Sequence, residues 1–280
     1  SRYEVRFDSL LSFLKLPVLT FRDKARLVYE GLKLFLTSGP KNPFSGTELA
    51  TFDRGDNLEQ WSRKHIGDRA YEYLMRPIMD FLYAVPLKEL STPFPKAIIQ
   101  QAHKLALSVP PEGIGQINDW FLEAIPKENK HLNSPVDKVE RIGEKWRISV
   151  KADVFDADRL LIATESFVAA KLLKDLIPEE AYESLMGTPY TEYAHVAVAY
   201  EKNPWPDYPV DMVLPVGVGG ERNVGAMVLH GRRSPTSVPK GGQAIGVYFN
   251  TPPLEKMSDE DIKREAVSQI HAAFGEAPKP

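Results

Sequence analysis

Apolar positions recur at helical spacing through the first part of the chain and alternate along much of the rest. From Thr20 onward Ala25, Val28, Leu32 and Phe35 fall every three or four residues. Asp23 stands where a capping-box acid belongs and Gly39-Pro40 ends the run. This predicts an ordinary amphipathic helix with a solvated basic face. Asp56-Asn57-Leu58-Glu59 opens a second helix with Leu58 and Trp61 on one side. Gly67-Asp68 ends it and starts another, whose stripe of Ala70, Tyr73, Leu74, Ile78, Phe81 and Leu82 runs past an expected kink at Pro77. Pro95 to Leu107 and Ile114 to Ile125 complete the helical part.

The period then changes to two. A strand at Val136 to Arg141 turns at Gly143-Glu144 into one carrying Trp146, Ile148 and Val150, and Arg159 to Thr164 reads as a third, nearly continuous apolar strand. Two short helices follow, Phe167 to Leu173 and Glu179 to Met186. Further strands are expected with Val196, Val198 and Tyr200 on one face, then at Val210 to Leu214, Val224 to His230, and through Ile245, Val247 and Phe249. A last helix starts at Ser258, carries Ile262, Ala266, Ile270 and Phe274, and ends at Gly275. Helices, a meander, then strands with a closing helix make an α+β class: a helical part plus a mixed, mainly antiparallel sheet.

Composition narrows the function classes. The 280 residues are 43% hydrophobic and 26% charged, with net charge −3, which is a globular composition without the basic excess of a general nucleic-acid binder. No cysteine is present, so disulfides, thiolate zinc sites and a cysteine nucleophile are excluded. No uncharged run reaches the roughly 18 residues of a membrane span. The opening, Ser1-Arg2-Tyr3-Glu4-Val5-Arg6-Phe7, shows no signal peptide, and the expected setting is the cytoplasm, with peripheral membrane contact as a second option.

Self-sufficient catalytic motifs are missing: there is no G-x-G-x-x-G after a strand, no P-loop, no G-x-S-x-G elbow and no H-E-x-x-H. Gly217-Val218-Gly219-Gly220 reads as a hairpin loop. His65, His103, His131, His195, His230 and His271 lie far apart, and no metal site is expected from them. Arg2, Arg6, Lys15, Arg22, Lys24, Arg26 and Lys33 stand among Leu10, Leu11, Phe13, Leu14, Leu34, Phe35 and Leu36, so a surface that lies on an anionic membrane stays open beside the ordinary helix.

Leu74-Met75-Arg76-Pro77 through Tyr83-Ala84-Val85-Pro86 to Leu90-Ser91 resembles a segment of protoporphyrinogen-oxidase-like flavoproteins, roughly L-x-x-P-x-x-x-x-x-Y-A-G-D-x-x-x-L-S. Glu112-Gly113-Ile114-Gly115, Leu132-Asn133-Ser134-Pro135-Val136-Asp137-Lys138-Val139, Trp146-Arg147-Ile148 and Asp158-Arg159-Leu160-Leu161-Ile162-Ala163-Thr164 are similar to the middle of the same flavin-containing amine oxidase superfamily. The chain departs from that pattern at Val85-Pro86, in place of Gly-Asp, and at Glu165, where proline is frequent.

The resemblance implies the central, substrate-binding region of an FAD-dependent oxidoreductase that dehydrogenates an apolar or flat substrate by hydride transfer. Val136 then matches the position whose backbone meets the adenine, and Ala163 with Thr164 the turn near the cofactor. Phe81, Tyr83, Trp61 and Tyr73 are candidates for an apolar pocket around a flat ring, or else an aromatic core stripe. No general base is named. The implied division is 1–129 as the helical part, 130–166 as a meander belonging to the FAD-binding domain, and 167–280 as the antiparallel sheet and closing helix. FAD is expected in the intact parent and not to be retained by this piece alone. The alternatives are a non-catalytic α+β binding or dimerisation module and a membrane-docking domain.

Overall fold

Phe249, Ile245 and Ile270 are the anchors of the main core in a computed structural model of the chain. It describes residues 10–83, 85–101, 108–191, 193–216, 223–250 and 257–277. The expectations placed on Arg2, Arg6, His103, the end of the Pro95 to Leu107 helix and the Gly217–Gly220 loop lie outside the described residues. The fold is mixed α+β, and every described strand pair is antiparallel.

Two compact units form. One comprises Ser1–Ile114 with Thr191–Pro280, the other Gly115–Tyr190. In the first, strands β4 (Ala194–Tyr200), β5 (Met212–Val213), β6 (Val224–Leu229) and β7 (Gln243–Phe249) make a sheet of order β4-β7-β6-β5. The expected Val210 to Leu214 strand is cut to two residues. Helix Asp259–Phe274 crosses one sheet face and packs Ala266, Ile270 and Phe274 against Val198, Val224, Met227, Leu229, Ile245, Val247 and Phe249. Each such large apolar side chain stabilises the fold by roughly 1.5–3 kcal/mol through burial.

The helical part of this unit runs through α1 (Leu10–Leu14), α2 (Phe21–Leu36), α3 (Gly46–Phe52), α4 (Leu58–His65), α5 (Asp68–Ala70), α6 (Arg76–Tyr83) and α7 (Pro93–Gln101). Thr20 and Asp23 form the predicted capping box. Gly67 has φ 92°, and a Cβ there would stand 3.0 Å from Arg26 Nη1 and 3.2 Å from Asp23 Oδ1, so glycine is needed on both counts. Just before Pro77, residues Tyr71–Met75 make one π-helical turn in which Arg76 N–H donates to the Tyr71 carbonyl. The wider turn accommodates a proline that has no N–H to donate back.

The stripe expected to be the buried side of α2 is not. Ala25, Leu32 and Phe35 are exposed and Val28 only half-buried, whereas Asp23, Leu27, Glu30 and Leu34 face inward. Glu30 is held by His65 Nδ1 at 3.0 Å, and Gln100 donates to the Leu34 and Thr37 carbonyls. Inward partners for polar groups therefore orient this helix against its apolar moment.

In the second unit, α8 (Gly115–Glu123) precedes a meander of β1 (Lys138–Ile142), β2 (Lys145–Val150) and β3 (Asp153–Ala157), followed by α9 (Ser166–Leu173) and α10 (Glu179–Met186). Gly143 turns β1 into β2 at φ 62°, as the sequence suggested. Arg159 to Thr164 is not the third strand. Asp153–Ala157 takes that place because it pairs with β2 through a tight turn at Lys151 (φ 52°), with Arg147 holding Asp156 at 2.8 and 2.9 Å. The apolar run finds no strand partner among the described residues, and Leu161 is 90% exposed. Strand β1 likewise begins at Lys138, leaving Val136 outside it. After β6 the first unit adds α11 (His230–Arg233), and the closing helix Asp259–Phe274 is α12. Among the described residues no helix is long and apolar enough to cross a membrane.

Candidate functional site

Strand β4 alternates strictly. Val196, Val198 and Tyr200 pack toward α12, which turns His195, Ala197 and Ala199 to the other sheet face, where they are exposed. The neighbouring strand β7 sets Gly246 beside Ala197 and Tyr248 beside His195. Side chains on this face therefore form a floor of alanine and glycine with rings around it. His195 stacks on Tyr248 at 4.5 Å and 24°, Tyr193 lies 5.9 Å from Tyr248, and Phe81 of α6 meets Tyr248 edge-on at 5.5 Å. His230, the first residue of α11, brings its ring to 6.5 Å from that of His195.

Gly246 is what lets the two histidines converge. A Cβ at that position would stand 2.6 Å from His195 Nε2 and 2.8 Å from His230 Nε2. Both nitrogens thus occupy the space over one residue, and any larger side chain would expel them. Among the described residues neither imidazole has a hydrogen-bond or ion-pair partner. Burial pushes the His195 pKa below its ordinary value. For His230 burial again acts first, then His195 and Arg233, all downward. Both shifts favour the neutral imidazole, which carries one N–H donor and one acceptor nitrogen. Burial also raises the phenols of Tyr248 and Tyr193, the latter to about 12. Arg233 acts on both His230 and Tyr248 and lies 3.6 Å from Asp211. The arrangement can stack a flat ring and exchange a hydrogen bond or proton with its substituents.

Of the four aromatic residues singled out in the sequence, only Phe81 reaches this face. Trp61 lies between Lys96, whose Nζ is 4.4 Å over the ring, and His65, stacked at 5.1 Å. Tyr83 meets Phe94 at 5.7 Å, and Phe94 meets Phe44 at 6.0 Å. Tyr73 is half-buried in the π-helical turn. These three sit within the helical part, where Trp61 and Tyr83 pack against the same buried cluster of Leu58, Tyr71, Met79 and Leu87. His195, His230, Gly246, Tyr248 and Tyr193 were not foreseen as a group. The available signal was the phase of β4, where a histidine shares the small-residue side opposite an apolar one. No group of three or more histidine, cysteine, aspartate or glutamate side chains that could hold a metal occurs among the described residues.

In the second unit Val136 is 39% exposed, and Ala163 and Thr164 are exposed at the end of the unpaired run. All three are open to a ligand. Val136 stands just before β1 and Ala163 with Thr164 just before α9, the positions that the sequence resemblance assigned to the cofactor.

The chain matches the family model described as flavin containing amine oxidoreductase over residues 3–280. No curated protein sequence matches it. Among solved structures it is similar to a putative protoporphyrinogen oxidase from Exiguobacterium sp. 255-15, at 17% identity and TM-score 0.67, covering 97% of this chain and 60% of that one. An oxidoreductase from Methanosarcina mazei aligns at 15% identity and TM-score 0.72, over 96% of this chain and 60% of the other. The cyclohexylamine oxidase of Brevibacterium oxydans IH-35A aligns at 16% identity and TM-score 0.64, over 93% and 59%. At these identities the likeness is one of fold, and the chain spans about 60% of the length of the structures it matches.

Proposed function

The chain belongs to the flavin-containing amine oxidoreductase family, and from that premise we propose that it is the substrate-binding region of an FAD-dependent oxidoreductase acting on an apolar or flat substrate. The observation that carries this reading is the open sheet face: an alanine and glycine floor ringed by Phe81, Tyr193, Tyr248, His195 and His230. When bound, the flavin supplies the hydride acceptor. Tyr248 and Phe81 hold a ring by face and edge contacts and keep water off it. His195 and His230 offer neutral Nε2 atoms to a polar substituent, holding or accepting a proton there. Val136 would meet the adenine of FAD through its backbone, and Ala163 with Thr164 would form the turn near the cofactor, as the sequence resemblance implies.

The test uses protein expressed from the whole coding sequence. Anaerobic stopped-flow mixing of Tyr248→Ala with substrate should show flavin reduction slowed about 10²-fold, the cost of losing alignment, with FAD content unchanged. Val136→Asp should lower FAD content more than Val150→Asp at matched folded fraction, because a desolvated carboxylate would face a ligand offering it no cation. A wild-type protein that purifies without flavin absorbance would overturn the reading in favour of a non-catalytic α+β binding or dimerisation module.

A further inference from the structure

Helix α2 turns its apolar strip to solvent and its acids to the protein. Phe21 is 88% exposed, Leu36 84% and Leu32 59%, with Tyr29 beside them. At 3.6 residues per turn these four and Ala25 form one continuous strip. Lys24 borders it on one side, Arg22 and Lys33 on the other. The two acids of the helix, Asp23 and Glu30, lie on the opposite side, Asp23 in the capping box and Glu30 between His65 and Lys33, whose Nζ is 3.7 Å away, so Arg22 and Lys24 are the border cations without an acid of this helix beside them. Leu11 of α1 and Lys15 just after that helix are exposed as well. An exposed apolar face edged by cations on both sides and free of acids is the pattern of a helix lying in a lipid interface, whereas a solvated helix would show the reverse face.

We propose that α2 is a docking surface for an anionic membrane, lying in the interface plane with Phe21, Leu32 and Leu36 among the acyl chains and Arg22, Lys24 and Lys33 at the headgroups. Charge complementarity commits the surface to anionic lipid: an apolar seam within a protein has no need of cationic borders on both edges, while lipid phosphates and carboxylates meet them directly. The inference is independent of the flavin reading, since it involves no residue of the sheet face.

Co-sedimentation of the whole protein with vesicles tests it. Binding to phosphatidylcholine vesicles containing 30% phosphatidylglycerol should exceed binding to pure phosphatidylcholine at least tenfold and should weaken in high salt. The double variants Phe21→Ser with Leu36→Ser, and Arg22→Glu with Lys24→Glu, should each lose at least tenfold of that binding while keeping the wild-type melting temperature. Trp120→Ser with Phe121→Ser, on exposed helix α8, should keep it. Because the chain has no cysteine, Leu32→Cys takes an environment-sensitive dye at one site, and its emission should shift to the blue only when anionic vesicles are added. Equal binding to both vesicles, or binding indifferent to the α2 variants, overturns the proposal. So does a dye already blue-shifted without lipid, which would mean that another segment covers the strip. A wild-type dimer by light scattering that Phe21→Ser with Leu36→Ser makes monomeric overturns it too, in favour of a second copy.

Discussion

Helices α2 and α12 obey the same local grammar and meet opposite fates. Each has sixteen residues, and each begins at a hydroxyl whose oxygen accepts from the backbone of an aspartate three positions on, Thr20 with Asp23 and Ser258 with Asp261. Both carry an apolar stripe. That of α12 lies on a sheet face of valine, isoleucine and phenylalanine and is sealed from water at Ala266 and Ile270. That of α2 faces solvent, because its neighbours present a histidine to Glu30, a glutamine to the helix carbonyls and a glycine cradle to Arg26 and Asp23. A capped amphipathic helix is thus a statement about the chain, while the direction of its apolar side is a statement about what it lies against.

Large-to-small substitution should separate the two most strongly. Ile270→Ala removes a side chain with no exposed surface and should cost about 2–5 kcal/mol in a denaturant melt. A loss under about 1 kcal/mol would mean that α12 holds the sheet less tightly than its burial indicates. The caps should instead make the two helices alike. Thr20→Ala and Ser258→Ala each delete a bond to the backbone of the third helical residue, and each should cost about 1 kcal/mol in the same melt. A clear inequality between them would show that burial of the apolar stripe reaches back to the cap. The smallest effect belongs to Leu32→Ser, expected within about 0.5 kcal/mol of wild type, since the side chain leaves water on neither side of the folding equilibrium. Destabilisation above about 1 kcal/mol would place a covering partner on α2 in the absence of lipid.

The second unit extends the contrast. Its buried apolar side chains are Val139, Val150 and Ala170, far fewer than those between α12 and the sheet, and Trp120, Phe121 and Leu161 stay exposed. The hairpin at Gly143-Glu144 was legible because turn chemistry acts within a few residues, and the helices α9 and α10 because the spacing of their apolar residues does. The assignment of the third meander strand was not. Leu160-Leu161-Ile162 has the stronger apolar signal, but a strand needs a partner, and the tight turn at Lys151 delivers Asp153–Ala157 to β2 first. The candidate site divides the same way. Phe81 could be picked out from a helical stripe, and Trp61, Tyr73 and Tyr83 could be picked out equally well, although a stripe does not say which of its rings share a space. His195 and His230 are separated along the chain by two strands, and nothing local to either announces the other.

From the residues alone came the helix starts at Thr20, Asn57 and Ser258, the stop at Gly275, the alternation of β4 and β7, the α+β class and the resemblance that led to a flavin. Those properties rest on backbone capping, glycine conformation and side-chain period, whose reach is one or two turns of chain. Tertiary structure decided which side of α2 meets water, which segment completes the meander, and that two imidazoles converge over Gly246. Each of these depends on a surface supplied by residues far away in the chain. Local period is blind to such surfaces, because rotating a helix about its axis leaves its pattern unchanged and alters only what the pattern touches.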